Sequence, residues 1–338
     1  LISMNVTVTT NRTIPIPVIR RRAIRRNMSY TCLQGVTQSR VYMNRFFVVL
    51  VTILFASCAD FQSVRRDTTV VYASGADLQS INPLVAVHPL AKATQKHVLF
   101  LTLAAYDSLL NPIPRLADWT WDESWTALTY SLRPDVRWHD GLPTQAADVV
   151  WTLEMARHPA VAYPRARDLS GISEVRALDS LTVLVTFERR QPTFPDVFTD
   201  LAILPAHRFR QASPNLIRNH PFNREPLGNG PFEFVEYRPN ERWIFQRSEH
   251  FPEELGRPEI ERFVVVVVDE PATKLAALTS GELDFAGISP AHSTFAENNA
   301  SLYTIDYPIQ FAYALVWNLR RPPFNDLRVR RALTMAID

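Results

Sequence analysis

The stretch Tyr130-Ser131-Leu132-Arg133-Pro134-Asp135-Val136-Arg137-Trp138-His139-Asp140-Gly141-Leu142-Pro143-Thr144-Gln145-Ala146-Ala147-Asp148-Val149-Val150 changes its hydrophobic period as it runs. From Leu128 to Arg133 apolar and polar residues alternate, the period of a half-buried strand. Pro134-Asp135 turns the chain and Val136 and Trp138 resume the alternation, which predicts a β-hairpin. Asp140-Gly141 turns it again. Pro143-Thr144 then offers a helix start, and Ala147, Val150, Trp151, Leu153 and Met155 keep largely to one helical face until His158-Pro159 stops it. Strand, turn and helix in close succession point to a mixed α/β fold.

Working outward, Thr68 to Tyr72 is a β-branched run ended by Ser74-Gly75, and Lys92 to Leu110 carries Leu and Ala at helical spacing. Downstream, the alternation of Leu181, Val183, Val185 and Phe187 behind an Asp179-Ser180 turn pairs that strand with Val175 to Leu178. Phe232 to Tyr237 and Arg242 to Arg247 form a second hairpin around Pro239-Asn240. Phe263 to Val268 is unbroken apolar sequence and reads as a strand buried on both faces. The helix after it takes Asp269 or Glu270 as cap, Pro271 in its first turn, Leu275 and Leu278 inward, and ends at Gly281.

Composition narrows the function. The 338 residues are 46% hydrophobic and 21% charged, ordinary for folded protein and enough for about two domains. Residues 1–57 hold eight Arg and no Asp, Glu or Lys; removing those eight from 36 basic residues leaves 28 against 34 acids, so the body carries a formal −6. A nucleic-acid partner needs a basic footprint and finds none in that bulk charge. The two cysteines, Cys32 and Cys58, both precede the body and exclude a cysteine metal site or disulfide framework there. Met43-Asn44-Arg45, an apolar run from Phe46 to Phe55 and Ala56-Ser57-Cys58 have the three parts of a secretory signal, and the run is too short to span a bilayer.

The search for chemistry is negative. G-x-S-x-G, H-E-x-x-H, C-x-x-C and Walker loops do not occur. Gly228-Asn229-Gly230 opens like a dinucleotide fingerprint, but Glu233 stands where the third Gly is needed. His139-Asp140 invites a catalytic-dyad reading, against which the adjacent Gly141 makes a simple turn the plainer account. No cofactor and no metal site is expected.

Six blocks carry a resemblance: Ser74 to Leu84, Leu116 to Trp119, Tyr130 to Val150, Gly228 to Phe232, Ser280 to Asp284, and Pro322 to Leu333 with Ala336-Ile337-Asp338. In this order they resemble the solute-binding proteins of family 5, the dipeptide and oligopeptide receptors of ABC importers. The end of the signal, Phe55-Ala56-Ser57-Cys58, is similar to a bacterial lipobox, with Cys58 as lipidated mature N-terminus and Phe55 where Leu is usual.

The resemblance implies an α/β fold of the two-lobed periplasmic-binding-protein kind, type II, with an extra subdomain on the first lobe. Residues 68–95 and 190–285 then form the first lobe, 96–189 the extra subdomain, and 286–338 the start of a truncated second lobe. Upstream, 58–67 reads as a tether, 43–57 as the lipoprotein signal peptide, and 1–42 as sequence preceding the true start. A last helix, capped by Asn325 or Asp326 with Val329, Leu333, Ala336 and Ile337 on one face, stops at Asp338 without a C-terminal signal, as a fragment would.

The function implied is capture of a small solute outside the cytoplasmic membrane, by a lipid-anchored monomer that delivers it to an ABC permease with its ATPase subunits. A short peptide is the leading ligand, with nickel or haem complexes, opines and oligosaccharides as alternatives. By resemblance, the main chain of Ala76, Asp77, Leu78 and Gln79 faces the ligand cleft, whereas the acidic residue that holds a peptide's amino terminus in relatives falls beyond this sequence. Tyr313 and Trp317, on an alternating stretch read as a strand, are placed to pack on the ligand. An exported hydrolase using His139-Asp140 and a solute-sensing regulator are the competing functions.

Overall fold

The β-branched run at the start of the body becomes β1 (Thr69–Ser74) in the computed structural model, which describes residues 68–210, 212–305 and 314–336. The signal, Cys58, the tether, Tyr313 and Ile337 lie outside the described residues. The long helix expected from Lys92 to Leu110 is short: α1 (Pro89–Thr94) passes into a π-turn, Gln95–Leu99, and the chain then enters β2 (Ala104–Tyr106), paired with β3 (Pro112–Pro114). Lateral partners explain the early exit. Leu101 donates its N–H to Asn229 Oδ1 at 2.9 Å, and Leu99 O accepts from Gly230 N at 2.8 Å, so the helical i to i−4 ladder is replaced by long-range bonds.

The next strands, β4 (Ala117–Trp121) and β5 (Ala127–Leu132), are antiparallel. The hairpin expected between β5 and Val136/Trp138 does not form. Both edges of β5 are occupied, one by β4 and the other by a strand far along the chain, so Arg137 makes only an isolated bridge to Pro143 around the Asp140-Gly141 turn. Val136 and Trp138 are nevertheless fully buried; the alternation reported burial, and pairing was decided elsewhere.

Helix α2 (Ala146–Arg157) starts where expected, with a capping box in which Asp148 accepts the Gln145 N–H at 2.9 Å. Its buried face is Ala146, Val149, Leu153 and Ala156 with Asp148 and Thr152, while Ala147 is exposed and Val150, Trp151 and Met155 are half-buried. The sequence offers apolar residues on two adjoining faces, and the one carrying Ala146, Val149, Leu153 and Ala156 is buried, so that of the face expected from the sequence only Leu153 is fully covered. The hairpin of β6 (Ile172–Ala177) with β7 (Thr182–Phe187) forms as expected, and β7 closes on β5, giving the order β4-β5-β7-β6.

After the short α3 (Val197–Asp200) comes the expected hairpin of β8 (Phe232–Arg238) and β9 (Arg242–Arg247), then β10 (Arg262–Val267), α4 (Pro271–Ser280) and β11 (Phe285–Ala286). The second sheet has the order β11-β1-β10-β9-β8, with β1 parallel to both of its neighbours. Burial of β10 on both faces holds only at its middle, Val264 and Val265, because α4 leaves Leu275 and Leu278 half-buried and covers little of the sheet. Glu270 caps α4 by accepting from the N–H groups of Ala272 and Thr273, and Gly281 ends it with φ of 78°. One contiguous apolar core joins the two sheets, with Trp138, Tyr130, Phe100, Trp243 and Phe245 fully buried.

Beyond α5 (Ser293–Glu297), residues 314–318 are not in a strand, contrary to the expectation for the stretch around Trp317; no hydrogen-bonded neighbour strand lies beside them among the described residues. Helix α6 (Leu327–Met335) is capped by Asp326, whose carboxylate accepts the Arg328 N–H at 2.8 Å. Of its apolar face Val329 is half-buried, and Leu333 and Ala336 are exposed. Among the described residues no helix is long and apolar enough to cross a membrane.

Candidate functional site

The chain leaves β1 through a turn held by one hydroxyl: Ser74 Oγ accepts the Ala76 N–H at 3.2 Å and donates to Ala76 O at 2.6 Å. The next four side chains separate. Asp77 and Leu78 turn inward and are buried, while Ala76 and Gln79 are exposed, Gln79 at a φ of 60° in the left-handed region. Asp77 is the fastener. Its carboxylate accepts from Tyr237 Oη at 2.6 Å, Trp243 Nε1 at 2.9 Å, Asn240 N at 3.0 Å and Gln79 N at 3.3 Å, tying the segment to the β8–β9 hairpin. Burial alone would raise the Asp77 pKa, but the donors outweigh it and hold the carboxyl below its usual value. Just downstream, Asn82 donates to Asn223 Oδ1 at 2.8 Å and accepts from Leu84 N at 2.9 Å, so the Ser80 to Leu84 block is pinned as well.

A second fixed point joins the Tyr130–Val150 block to the glycine block. His139 bonds to the Gly228–Gly230 loop three times: its N–H donates to Gly228 O at 2.8 Å, Nδ1 accepts the Gly228 N–H at 3.2 Å, and Nε2 lies 3.0 Å from Gly230 O. Because Nδ1 must accept, the proton sits on Nε2 and is given to the carbonyl. Desolvation of the ring lowers its pKa to about 4. Asn229 completes the clasp, accepting from Leu101 N and donating to Thr144 Oγ1 at 3.3 Å. The adjacent Asp140 points elsewhere, its Oδ2 lying 2.8 Å from His207 Nε2. His139 and Asp140 are therefore not a dyad: both imidazole nitrogens serve backbone groups, and the carboxylate has its own partner.

Trp317, far along the chain, is half-buried and stacks on Phe324 with ring centroids 5.3 Å apart. An open concavity of about 590 Å³ lies against α5, lined by Thr294, Phe295, Asn298, Asn299 and Ala300, and includes none of the residues expected to touch ligand. No group of His, Cys, Asp and Glu among the described residues is arranged to hold a metal ion.

The partners of Asp77 escaped sequence reasoning, although a signal existed. Tyr237 and Trp243 face one another across the predicted hairpin, and a fully buried indole N–H beside a half-buried phenol needs an acceptor. Asp77→Ala removes it and leaves the buried indole N–H of Trp243 unpaired, so a loss of about 1–3 kcal/mol is expected in urea unfolding. A shift in Trp emission should accompany it. An unchanged midpoint would show that the fastener carries no stability.

A family model described as bacterial extracellular solute-binding proteins, family 5 Middle, matches residues 111–338. A provisionally named ABC transporter peptide-binding protein of Brucella ovis is 28% identical over 263 residues, 77% of this chain and 49% of its own. The nickel-binding periplasmic protein of Escherichia coli is 26% identical over 251 residues, 71% of this chain and 46% of its own. Among solved structures, NikZ of Campylobacter jejuni with Ni(L-His) is 26% identical with a TM-score of 0.67, over 80% of this chain and 53% of that one. The Bacillus subtilis oligopeptide-binding protein AppA, holding a nonapeptide, is 24% identical with a TM-score of 0.72, over 80% and 54%. The chain spans about half the length of the curated relatives it matches.

Proposed function

The chain belongs to the bacterial extracellular solute-binding proteins of family 5, and from that premise we propose that it is receptor sequence of an ABC importer, capturing a short peptide or similar small solute outside the cytoplasmic membrane and delivering it to the permease and its ATPase subunits. Its α/β fold is that of the type II periplasmic binding proteins, of which it covers a part. We read the five-stranded sheet as the first lobe, residues 68–95 and 190–285, and the four-stranded sheet as the extra subdomain, 96–189; residues 286–338 open the second lobe.

The observation that carries the reading is the Ser74–Gln79 segment. Asp77 and Leu78 bury their side chains and fix the backbone, so Ala76 and Gln79 are what the segment exposes, with the Ala76 N–H and C=O and the Gln79 N–H already bonded within it. A receptor that accepts varied peptides has to recognise their backbone groups while tolerating their side chains, and a segment held rigid by its own buried side chains suits that task. Peptide is favoured by the names of several relatives, while the nickel proteins and an Agrobacterium structure with mannopinic acid keep other solutes in view. Tyr313 and Trp317 are proposed to pack on the ligand, Trp317 from its stack on Phe324.

We propose no chemistry for this protein, since the residues that motivated a hydrolase, His139 and Asp140, are committed to holding the fold. Calorimetry of the receptor at its relatives' full length against a library of di- to pentapeptides should give saturable binding to some members. Silence across every length would remove the peptide reading. Cys58 is proposed as the lipidated N-terminus of a monomeric receptor, and Cys58→Ala should leave an unprocessed precursor; normal processing of the variant would refute the anchor.

A further inference from the structure

Three cations from two segments, Lys92 and Lys96 from α1 and its π-turn and Arg165 from the 163–168 turn, converge on one carboxylate at the end of α3. Arg165 Nη1 lies 3.2 Å from Asp200 Oδ2, Lys92 Nζ 3.5 Å from the same oxygen, and Lys96 Nζ 3.8 Å from Oδ1. Arg165 also donates to Asp168 at 2.6 Å. An N–H···O hydrogen bond runs at about 2.7–3.2 Å, so the two ammonium groups stand off the carboxylate with donors to spare. Lys92 has one further acceptor, Pro83 O, again at 3.5 Å. Beneath Lys92, with Nζ 5.7 Å from the ring centroid, sits Tyr163, which is 3% exposed and whose hydroxyl has no hydrogen-bond partner. Burial, followed by the charges of Asp200 and Asp168, raises the Tyr163 pKa and keeps the proton on that oxygen, so it is a donor in need of an acceptor.

The cluster therefore has more positive charge and more N–H and O–H groups than its two carboxylates satisfy. Its charged side chains remain partly open to solvent, Lys92 at 19% and Lys96 at 29%. We propose that Lys92, Lys96, Arg165 and the Tyr163 hydroxyl form a binding site for a small oxyanion, a carboxylate or phosphate group, at the junction of α1, α3 and the 163–168 turn. An oxyanion supplies several acceptor oxygens and the missing negative charge at once, and charge-assisted bonds of this kind are the strong ones. The site shares no residue with the segment proposed to face the transported solute. The same chemistry is carried by a free oxyanion and by a lipid phosphate headgroup.

Inorganic phosphate titrated into the full chain, followed by calorimetry and by the ³¹P linewidth, should show saturable binding. Tyr163→Phe and Lys96→Gln should each weaken it roughly tenfold or more. Asp200→Asn, which removes the competing carboxylate, should tighten it. Co-sedimentation with phosphatidylglycerol vesicles, against phosphatidylcholine, separates the sources: variant-sensitive binding of phosphate identifies a free oxyanion, and variant-sensitive association with vesicles alone identifies a headgroup. Should Tyr163→Phe fail to fold by circular dichroism, Lys96→Gln at the half-buried rim still decides. Binding that is absent in both arms, or indifferent to these substitutions, would reduce the cluster to an ion-pair knot and overturn the proposal.

Discussion

Gly228→Ala is expected to lower stability by at least about 3 kcal/mol, while Gly171→Ala changes it by less than about 0.5 kcal/mol. The contrast is steric and can be located. A Cβ built on Gly228 would stand 1.8 Å from Leu99 O, 2.8 Å from Leu99 C and 2.9 Å from His139 Cε1; one built on Gly171 meets nothing within 4 Å. The obstructing atoms at Gly228 are mostly backbone, which cannot swing aside as a side chain can, and that backbone is itself held by the Gly230 N–H to Leu99 O bond. Gly230 is confined in the same way, its added Cβ falling 2.5 Å from Leu99 C. Relief would require the Gly228–Gly230 loop to lift off the π-turn, breaking the Asn229 bonds to Leu101 and Thr144 and the three bonds to His139. Urea unfolding of the two variants measures the difference, and a Gly228→Ala midpoint equal to wild type would mean that the loop and the π-turn do not touch.

That contact also marks how far the sequence could be read. Hairpins whose two strands are neighbours along the chain, β6–β7 and β8–β9, were legible because Asp179-Ser180 and Pro239-Asn240 punctuate them locally. The false hairpin at Val136/Trp138 had equally good local signals and failed because β4 and β7 compete for the edges of β5, and nothing near residue 130 announces β7. The helix from Lys92 stopped early for the same kind of reason, since Asn229 lies far along the sequence from the Leu101 N–H it captures. At the site, the resemblance singles out Ala76 to Gln79 and includes the glycine block, but local sequence carries no reason for either. Their physical justification, the Asp77 fastener and the close approach to Leu99, consists of long-range contacts that local periodicity does not encode.

Acid should loosen the clasp in a pH window of its own. His139 titrates at about 4 in the folded protein, below the value near 6.5 of an unfolded chain. Between those two values the unfolded chain holds a proton that the folded one refuses, so stability falls as the pH is lowered. The contribution is intact above about 6.5, begins to fall away as the pH drops through it, and is spent near 4; at about 1.4 kcal/mol per unit the loss reaches up to about 3 kcal/mol. The structural cause is specific, because protonation converts Nδ1 from the acceptor of the Gly228 N–H into a second donor facing it. Asp77 acts in a lower window: its folded pKa is depressed, so its contribution is present above the ordinary carboxyl value of about 3.9 and is lost only as the pH falls below that. Urea midpoints of the wild type should therefore fall between pH 6.5 and 4, while His139→Gln, less stable near neutral pH, should show a flatter dependence over that interval, so that its deficit closes towards pH 4. The imidazole Cε1–H resonance of His139, followed by NMR, should move with a midpoint near 4, and a midpoint near 6.5 would mean that its ring is free of the glycine loop.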